Sequence, residues 1–356
     1  MLNTILCDIF NIEVPIILAP MGSCTSAEFA AAVSNAGGLG SLGTLARTTA
    51  AVKRDIDMVR ELTSRPFAVN HIPQALDAEA FRHTLEARPA VISFALADPG
   101  DLVRQAHDAG ARVMVQVTTV AQAVQAAERG ADVINAQGGE SGGYGGDVST
   151  MTLVPQVVDA VSPVPVVASG GIYDGRGIAA ALMLGAVGVN LGTRFIASTE
   201  SPAAIQWKEA ITGAVSEDTT KAHVFNDIRP LPGTAGYGTV LRSLRTAFLD
   251  EWSAKREDAR HERDYLRAQI ATAAQAGRQH ELLLTAGQTV GGIKEVLPVG
   301  EIIRQLMEQA EATLSRSASR GKQIRHEPVK LAPDKPLPLS DEAMAKEIPE
   351  PDSLGG

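Results

Sequence analysis

Aromatic residues are scarce in this sequence: they make up 4% of its 356 residues. Cysteine is scarcer still, with Cys7 and Cys24 as its two residues, so a disulfide framework is excluded and we expect a cytoplasmic protein. A continuous run of about eighteen apolar residues is also missing, so we expect no transmembrane helix. The N-terminus lacks the basic and apolar segments of a signal peptide, so we expect no secretory leader.

Positive charge is in deficit, and the formal net charge is −9. This excludes nucleic acid or an anionic membrane surface as the main partner, and it leaves a small-molecule substrate. The charged segment 254–264 alternates in sign, which is typical of a solvated helix face. There is no CxxC pair, and we predict no metal site.

What the sequence does contain is an alternation of short β-branched runs and alanine-rich helical stretches between residues 14 and 195. Segments 113–117 and 164–168 are apolar almost throughout, as expected for parallel strands covered on both faces. Eight such units predict an α/β fold, a closed (β/α)8 TIM barrel, with an open doubly wound sheet as the structural alternative. The predicted strands are Val14–Pro20, Gly38–Gly43, Pro66–Ile72, Val91–Leu96, Arg112–Val117, Val133–Gly138, Pro165–Gly171 and Gly188–Phe195, and helices between them include Ser26–Ala36, Pro99–Ala109, Val120–Arg129 and Gly175–Leu184.

Beyond Phe195 the alternation ends. We predict helices over 200–213, over the charged segment 241–276 and from Val299 to about Ser315, with a proline- and glycine-containing stretch at 229–238. The domain assignment is accordingly 1–200 and 280–317 for the barrel, 201–279 for a mainly helical, substrate-side C-terminal elaboration, and 318–356 for a disordered tail.

Several unusual residues fall at predicted strand ends, where TIM barrels place their active sites. In the turn at 19–23, Pro20 stiffens the backbone and Gly22 allows it to approach a flat ligand, although an ordinary βα turn would look similar. Asn70 and Gln116 end the third and fifth strands. Their uncharged amides can pair with a pyrimidine-like ring edge or satisfy buried backbone groups, and two of them on different strands favour a ligand.

The segment 136–146 after the sixth strand contains six glycines in eleven residues, and Glu140 and Tyr144 are its only ionisable side chains. So much glycine costs backbone entropy, which close contact with a planar ligand would offset. A flexible linker is the alternative, but it fits poorly between a buried strand and a well-patterned helix. Segments 168–172 and 191–195 end the last two strands and offer glycine N–H groups next to helix starts. Together they predict a phosphate-bearing ligand.

These motifs resemble those of the nitronate monooxygenase (2-nitropropane dioxygenase-like) family of FMN-dependent TIM-barrel enzymes. The similarity extends over residues 8–200 and returns at 286–293. The segments that carry it are 15–21, 31–42, 136–138, 168–177 and 192–195.

The resemblance implies non-covalently bound FMN. By motif position, Met21, Gly22 and Ser23 would border the flavin ring, Asn70 and Gln116 would hydrogen-bond it, and Gly138 and Gly142 would lie on the loop that faces it. Ser169, Gly170, Gly171, Gly192 and Thr193 would hold the phosphate, and Gln288 would reach the site from the C-terminal segment. A homodimer is also common among such proteins.

One position departs from the family pattern. Family members carry histidine in a Glu-Ala-Gly-Gly-His-x-Gly motif, whereas this chain has Tyr144 there. The unperturbed pKa of tyrosine is about 10, so Tyr144 is a poor general base at neutral pH but a competent hydrogen-bond donor or acid. We therefore assign Tyr144 as the catalytic residue. His71, just after Asn70, could approach the site from the third strand, but we interpret it as an ordinary strand-end residue.

The leading functional hypothesis is an FMN-dependent oxidoreductase that oxidises alkyl nitronates with O2. Its rival is a flavin reductase of enoyl thioester or quinone substrates that uses NADH or NADPH as electron donor. A non-flavin phosphate-binding barrel enzyme is a third possibility. If it used a catalytic cysteine, that residue would be Cys24, although Cys24 lies in what looks like a helix-cap region. A flavin-binding protein without turnover is a fourth.

Overall fold

A ring of eight parallel strands with helices around it forms the centre of the protein in the computed structural model. The structure describes residues 2–230 and 237–321, without the side chains of Ser23 and of residues 318–321. In chain order the strands are β1 Ile16–Leu18, β2 Gly40–Gly43, β3 Phe67–His71, β4 Val91–Phe94, β5 Arg112–Val117, β6 Val133–Gln137, β7 Gly143–Gly145, β8 Val166–Ser169, β9 Gly188–Leu191, β10 Thr219–Lys221, β11 Val240–Leu244 and β12 Leu284–Thr285.

The helices follow the strands around the ring and then form the elaboration. They are α1 Ile5–Phe10, α2 Ala27–Asn35, α3 Thr49–Leu62, α4 Ala78–Ala87, α5 Leu102–Asp108, α6 Val120–Glu128, α7 Thr150–Val161, α8 Gly175–Met183, α9 Thr193–Ile196, α10 Ile205–Gly213, α11 His223–Ile228, α12 Ala247–Ala254, α13 Arg256–His261, α14 Arg263–Gln275 and α15 Val299–Gly321. None of these helices is long and apolar enough to cross a membrane, within residues 2–230 and 237–321.

The strand order shows that the sheet closes on itself. Strands β1, β9, β8, β6, β5, β4, β3 and β2 are neighbours in that order, all in parallel register. The seam between β1 and β2 is joined by pairing of Ile17 with Leu39, where Leu18 N donates to Leu39 O at 2.9 Å. The barrel predicted from the alternating pattern is therefore confirmed, and the open-sheet alternative is wrong.

Polar residues cap the starts of the barrel helices, and an apolar layer closes the amino-terminal end of the barrel. Ser26 and Thr119 accept a backbone N–H at the starts of α2 and α6, each at 3.2 Å, as N-cap residues do. Helix α1 places Leu6 and Phe10 against the lower ends of the strands, where they pack with Met114, Val133 and Val167. Because this packing fills the amino-terminal end, a cavity can form only at the carboxyl ends of the strands.

Four sequence predictions differ from the structure. Residues 241–244, predicted as the start of one long helix over 241–276, lie in β11, and three shorter helices follow it over 247–275. The last barrel strand ends at Leu191 rather than Phe195, because Thr193 begins the short helix α9. The helix predicted over 200–213 begins at Ile205. Helix α15 extends to Gly321, past the predicted end at Ser315.

The elaboration contains a small antiparallel sheet as well as helices. Strand β11 pairs with β10, with β12 and with β7, which lies in the glycine-rich loop after β6. From Val240 to Ser243 of β11, partly exposed and buried residues alternate, and Leu244 is buried as well. The charged residues that follow obscured this short strand pattern in the sequence. The stretch 231–236 and the tail predicted from residue 318 onward lie outside the described residues, apart from the end of α15.

Candidate active site

A cavity of about 770 Å³ lies at the carboxyl ends of the barrel strands. Its walls bring together eleven of the residues predicted for the site, from six different strand ends and loops: Met21, Gly22, Asn70, Gln116, Gly142, Tyr144, Ser169, Gly170, Gly171, Gly192 and Thr193. A cavity of this size suits a cofactor or a drug-sized ligand. The side chain of Ser23 is outside the described residues, and Gly138 is not in the lining.

Amide side chains from adjacent strands form the floor of the cavity. Asn70 Nδ2 donates to Ser93 Oγ at 3.1 Å, and Gln116 Nε2 donates to Gln137 Oε1 at 2.6 Å. The Gln116–Gln137 pair leaves one carbonyl oxygen and one amide nitrogen for a ligand, once amide orientations are assigned from the hydrogen bonds. Asn190 adds a buried Oδ1 that has no partner among the described residues. A heterocycle edge with both donors and acceptors would satisfy these groups.

Two glycine turns form the other side of the cavity. Gly170 and Gly171 have φ values of +94° and +73°, a left-handed conformation that side chains rarely adopt. A Cβ on Gly170 would lie 2.9 Å from Gly138 O, and one on Gly192 would lie 3.4 Å from Met21 Sδ. Bare backbone is therefore required at Gly170, where β8 ends, whereas a Cβ on Gly192 would make only an ordinary contact. The ends of β8 and β9 are the place where this fold binds phosphate. This geometry fits the phosphate end of a mononucleotide.

The glycine-rich loop is fixed rather than free. Its strand β7 pairs with β11, with Tyr144 opposite Leu241. Lys221 Nζ donates to Gly145 O at 2.9 Å and to Gly146 O at 2.6 Å, and Arg242 Nε donates to Gly139 O at 3.1 Å. The flexible-linker alternative is therefore wrong, because both ends of the loop are held by cations of the elaboration.

Two members of this loop serve the adjacent helix. A Cβ on Gly138 would come within 2.0 Å of Thr150 Oγ1, so glycine is needed there for the packing of α7. The Glu140 carboxylate accepts from Thr150 N at 2.9 Å and from Thr150 Oγ1 at 3.0 Å, and thus caps α7. Gln288 N donates to Glu140 O at 2.9 Å, so Gln288 reaches the loop through its backbone while its neighbours Gly287 and Thr289 line the cavity.

Tyr144 lies between the barrel and the elaboration. Its ring packs with the cluster of Ile72 and Leu96 on one side and with that of Phe225 on the other. Burial raises the pKa of Tyr144 to about 12, against the opposing effect of the Arg229 charge. Its hydroxyl has no hydrogen-bond partner among the described residues. Tyr144 is therefore a protonated, unengaged donor at the cavity wall at neutral pH.

Residues of the elaboration cover the cavity with an apolar wall. Ile270 and Ala274 of α14 and Leu283 beyond it line the cavity together with Leu241 and Phe225. This wall has no sequence signature, because α14 has an ordinary amphipathic pattern. Gln137 and Asn190 were also missed, although both fall near strand ends as Asn70 does, and that shared position is the signal that would have found them.

The structure does not support a catalytic role for His71 or for Cys24, although Cys24 lines the cavity. Although His71 follows Asn70, its Nε2 is 3.0 Å from Thr84 Oγ1 on α4, outside the barrel. Burial raises the pKa of the Cys24 thiol to about 12, which is the wrong direction for a nucleophilic thiolate. The cysteine-dependent version of the non-flavin alternative loses its support. Within residues 2–230 and 237–321, no group of three or more His, Cys, Asp or Glu side chains could hold a metal ion.

The His71 site predicts a pH dependence of stability. Burial lowers the pKa of His71 to about 4, and Thr84 Oγ1 already donates to Ala80 O, so His71 is the donor and is neutral. The unfolded chain binds this proton near pH 6.5 and the folded chain near pH 4, so the free energy of unfolding falls as pH drops through that window, by up to roughly 3 kcal/mol. His71→Gln keeps the donor without titrating. Denaturant unfolding from pH 7 to pH 4 should show a steeper loss for wild type than for this variant, and equal slopes would contradict the assignment.

The chain is similar to a known protein family and to individual proteins of known sequence. A family model described as nitronate monooxygenase matches residues 3–309. A (3aS,4S,5R,7aS)-5-hydroxy-7a-methyl-1-oxo-octahydro-1H-indene-4-carboxyl-CoA dehydrogenase of Rhodococcus jostii is 39% identical over 221 residues, which are 62% of each chain. The chain thus spans less than two thirds of that relative's length. A probable nitronate monooxygenase of Staphylococcus haemolyticus is 35% identical over 272 residues, covering 63% of this chain and 76% of that protein.

A solved structure is similar over a longer part of the chain. FabK from Thermotoga maritima superposes with a TM-score of 0.81 at 32% identity, covering 90% of this chain and all of that one. The similarity therefore extends through the elaboration as well as the barrel.

Proposed function

The chain belongs to the nitronate monooxygenase family of FMN-dependent oxidoreductases, and from this premise we propose that it oxidises alkyl nitronates with O2. The family assignment confirms the enzyme class that the motifs predicted. The observation that carries the proposed substrate is the Tyr144 phenol, which keeps its proton at neutral pH and lines the cavity. A nitronate is already an anion, so its oxidation requires a hydrogen-bond donor for its oxygens but no base.

The residues of the cavity suit FMN in the orientation that the resemblance implies. Met21 and Gly22 would border the ring, Asn70, Gln116 and Gln137 would pair with its polar edge, and the turns at Gly170–Gly171 and Gly192–Thr193 would hold the phosphate. Bound there, FMN would supply the capacity to take electrons from the substrate and pass them to O2. These roles stay predictions, as do the roles of Ser23, Gly142 and Ser169. For Gly138 we propose helix packing instead of direct contact.

The protein's own contribution would be to position the substrate and exclude water. Tyr144 would donate a hydrogen bond to a nitronate oxygen without giving up its proton. Arg229 lines the cavity and would attract the anion in a protein whose net charge is −9. The apolar wall from α14 would keep water from the reacting carbon.

A second candidate is a reductase of enoyl thioester or quinone substrates that uses NADH or NADPH. The apolar wall favours it, because Ile270, Ala274 and Leu283 extend the cavity beyond what a short nitronate fills. The Rhodococcus relative, whose name gives a carboxyl-CoA substrate, points in the same direction. A protonated Tyr144 would also suit a carbonyl oxygen.

The two candidates differ in what reduces the flavin. Purified holoprotein would be mixed anaerobically with propyl-2-nitronate, NADH or NADPH, and the flavin absorbance followed. We expect rapid bleaching by the nitronate and little response to the pyridine nucleotides. Bleaching only by NADH or NADPH would overturn the nitronate proposal in favour of the reductase. A yellow protein that nothing bleaches would favour flavin binding without turnover, and a colourless protein that takes up no FMN would exclude a flavin site. A homodimer and a cytoplasmic location stay predictions.

A further inference from the structure

Left-handed backbone at non-glycine residues divides into two kinds in this protein. Among the described residues, Asn11, Ala46, Arg88 and Leu96 have positive φ values of 55°, 60°, 50° and 65°. Asn11 and Arg88 terminate α1 and α4, where a left-handed cap closes the last turn. Ala46 and Leu96 are not helix caps, and both line the cavity. Helix termination therefore does not explain the left-handed conformation of Ala46 and Leu96.

Leu96 is the more unusual of the two. A branched side chain in this conformation is a true outlier, since the Cβ crowds the neighbouring carbonyl. The backbone at Leu96 directs its side chain into an apolar cluster with Ile72 and Ala95, against which Leu45 and Tyr144 also pack. Such strain persists only where the surrounding structure holds it, and it is concentrated at functional sites. Glycine or asparagine would relieve it, but neither would supply an apolar wall beside Tyr144.

We propose that Leu96 is a specificity-determining residue that closes the Tyr144 side of the cavity and limits the length of the apolar group that a substrate can carry. The proposal rests on the proposed function in one respect, namely that the substrate's charged head lies at Tyr144. Its apolar group would then extend toward Ile72 and Leu96. With Leu96 shortened, the cavity becomes deeper on this side, and longer chains fit.

The first test compares substrates of increasing length. For Leu96→Ala we expect kcat/KM for hexyl nitronate, relative to ethyl nitronate, to rise at least about tenfold over wild type, since each accommodated methylene is worth roughly 10-fold or more in a fitted pocket. Leu96→Gly should show the same shift. Arg88→Gly, which changes a left-handed cap far from the cavity, should leave the ratio unchanged. An unchanged ratio in both Leu96 variants would overturn the proposal.

A second measurement keeps this test separate from the nitronate hypothesis. Straight-chain alkyl carboxylates from acetate to octanoate would be titrated into the holoprotein, with the flavin absorbance spectrum as the readout and no turnover required. Wild type should bind chains only up to a limiting length, and Leu96→Ala should extend that limit. If wild type binds carboxylates with such a limit but bleaches with no nitronate, the proposed function fails while the role of Leu96 stands. Equal binding of all chain lengths by wild type would overturn the role of Leu96.

The strain itself provides a third readout. Both variants lose the apolar contacts that Leu96 makes beyond its Cβ, but glycine adopts a φ of +65° without strain, whereas alanine is strained there. Leu96→Gly should therefore melt a degree or more above Leu96→Ala. The reverse order would show that the backbone is not held in the left-handed conformation and would remove the basis of the proposal.

Discussion

Alanine at Gly170 is expected to lower the affinity for FMN by about 100-fold or more, which corresponds to roughly 2.7 kcal/mol. Gly170 has a φ of +94°, and a Cβ there would lie 2.9 Å from Gly138 O and 3.2 Å from Ser141 Cβ. The turn must therefore shift, and with it the N–H groups that we assign to the phosphate. Hydrogen bonds to a charged group contribute about 1.5 to 3 kcal/mol each, so the loss of one or two accounts for the expected effect.

Gly110→Ala is the matched control for this substitution. Gly110 has a similar φ of +87°, but a Cβ there would meet nothing within 4 Å, and the residue ends α5 away from the cavity. Both variants should lose about 1 kcal/mol of stability from backbone strain. FMN affinity, measured by the change in flavin fluorescence on binding, should fall for Gly170→Ala alone. Binding of riboflavin, which has no phosphate, should change less than binding of FMN. Equal FMN affinity in the two variants would remove Gly170 from the phosphate site.

The parts of the fold that the sequence predicted are those where hydrophobic periodicity and turn chemistry agree. Apolar runs indicate the barrel strands, and glycines mark the ends of the helices. Both signals are local in the sequence, so these elements could be predicted without knowledge of long-range packing. Asn70 and Gln116 could be placed at the cavity because polar side chains at the ends of such runs are rare. The turns that we propose for the phosphate were predicted from the glycine pair at 170–171 and from Gly192.

The elaboration was harder to predict because its structure depends on partners far away in the chain. Strand β7 is made of Gly143, Tyr144 and Gly145, which have no alternation of side chains to indicate a strand. It becomes one by pairing with β11, about a hundred residues later. Strand β11 was itself assigned to a helix, since the leucines and arginines of 241–245 run into the charged helical segment. Neither half of the pair indicates a strand without the other.

The pairing of β7 with β11 also places Tyr144, the residue that departs from the family motif, in its buried environment. Sequence alone indicated that Tyr144 is a poor base, from the unperturbed pKa of tyrosine. The structure adds that burial between Ile72, Leu96 and the elaboration raises that pKa to about 12. Contacts with the elaboration, the part of the fold that was predicted least well, therefore help to keep Tyr144 protonated. The candidate catalytic side chain could be selected by its position in a motif, but its electrostatic environment depends on tertiary contacts.

Removal of the phenol provides the sharpest test of this environment. Tyr144→Phe keeps the ring and its packing but loses the donor, so kcat/KM for a nitronate should fall by about 10- to 100-fold while FMN stays bound, in line with the loss of one hydrogen bond to a charged group. Retained FMN absorbance and an unchanged melting temperature would show that the fold is intact. Full activity of this variant would contradict the role of Tyr144.

The pH profile separates donor from base. Because the pKa of Tyr144 is about 12, the phenol keeps its proton from pH 6 to pH 10, and the activity that depends on it should be flat over that range. Tyr144→His should introduce a titration near pH 6.5, the ordinary pKa of histidine. A titration between pH 6 and 8 in wild type that Tyr144→Phe abolishes would mean that the phenol acts as a base after all.

The free energy of unfolding should also depend on the protonation of Tyr144. The unfolded chain loses the tyrosine proton near pH 10 and the folded chain near pH 12, so the contribution of Tyr144 to the free energy of unfolding is complete below pH 10 and is lost as the pH rises to 12. Wild type should therefore lose stability faster than Tyr144→Phe over that interval, and equal losses would show that the phenol is not buried as described.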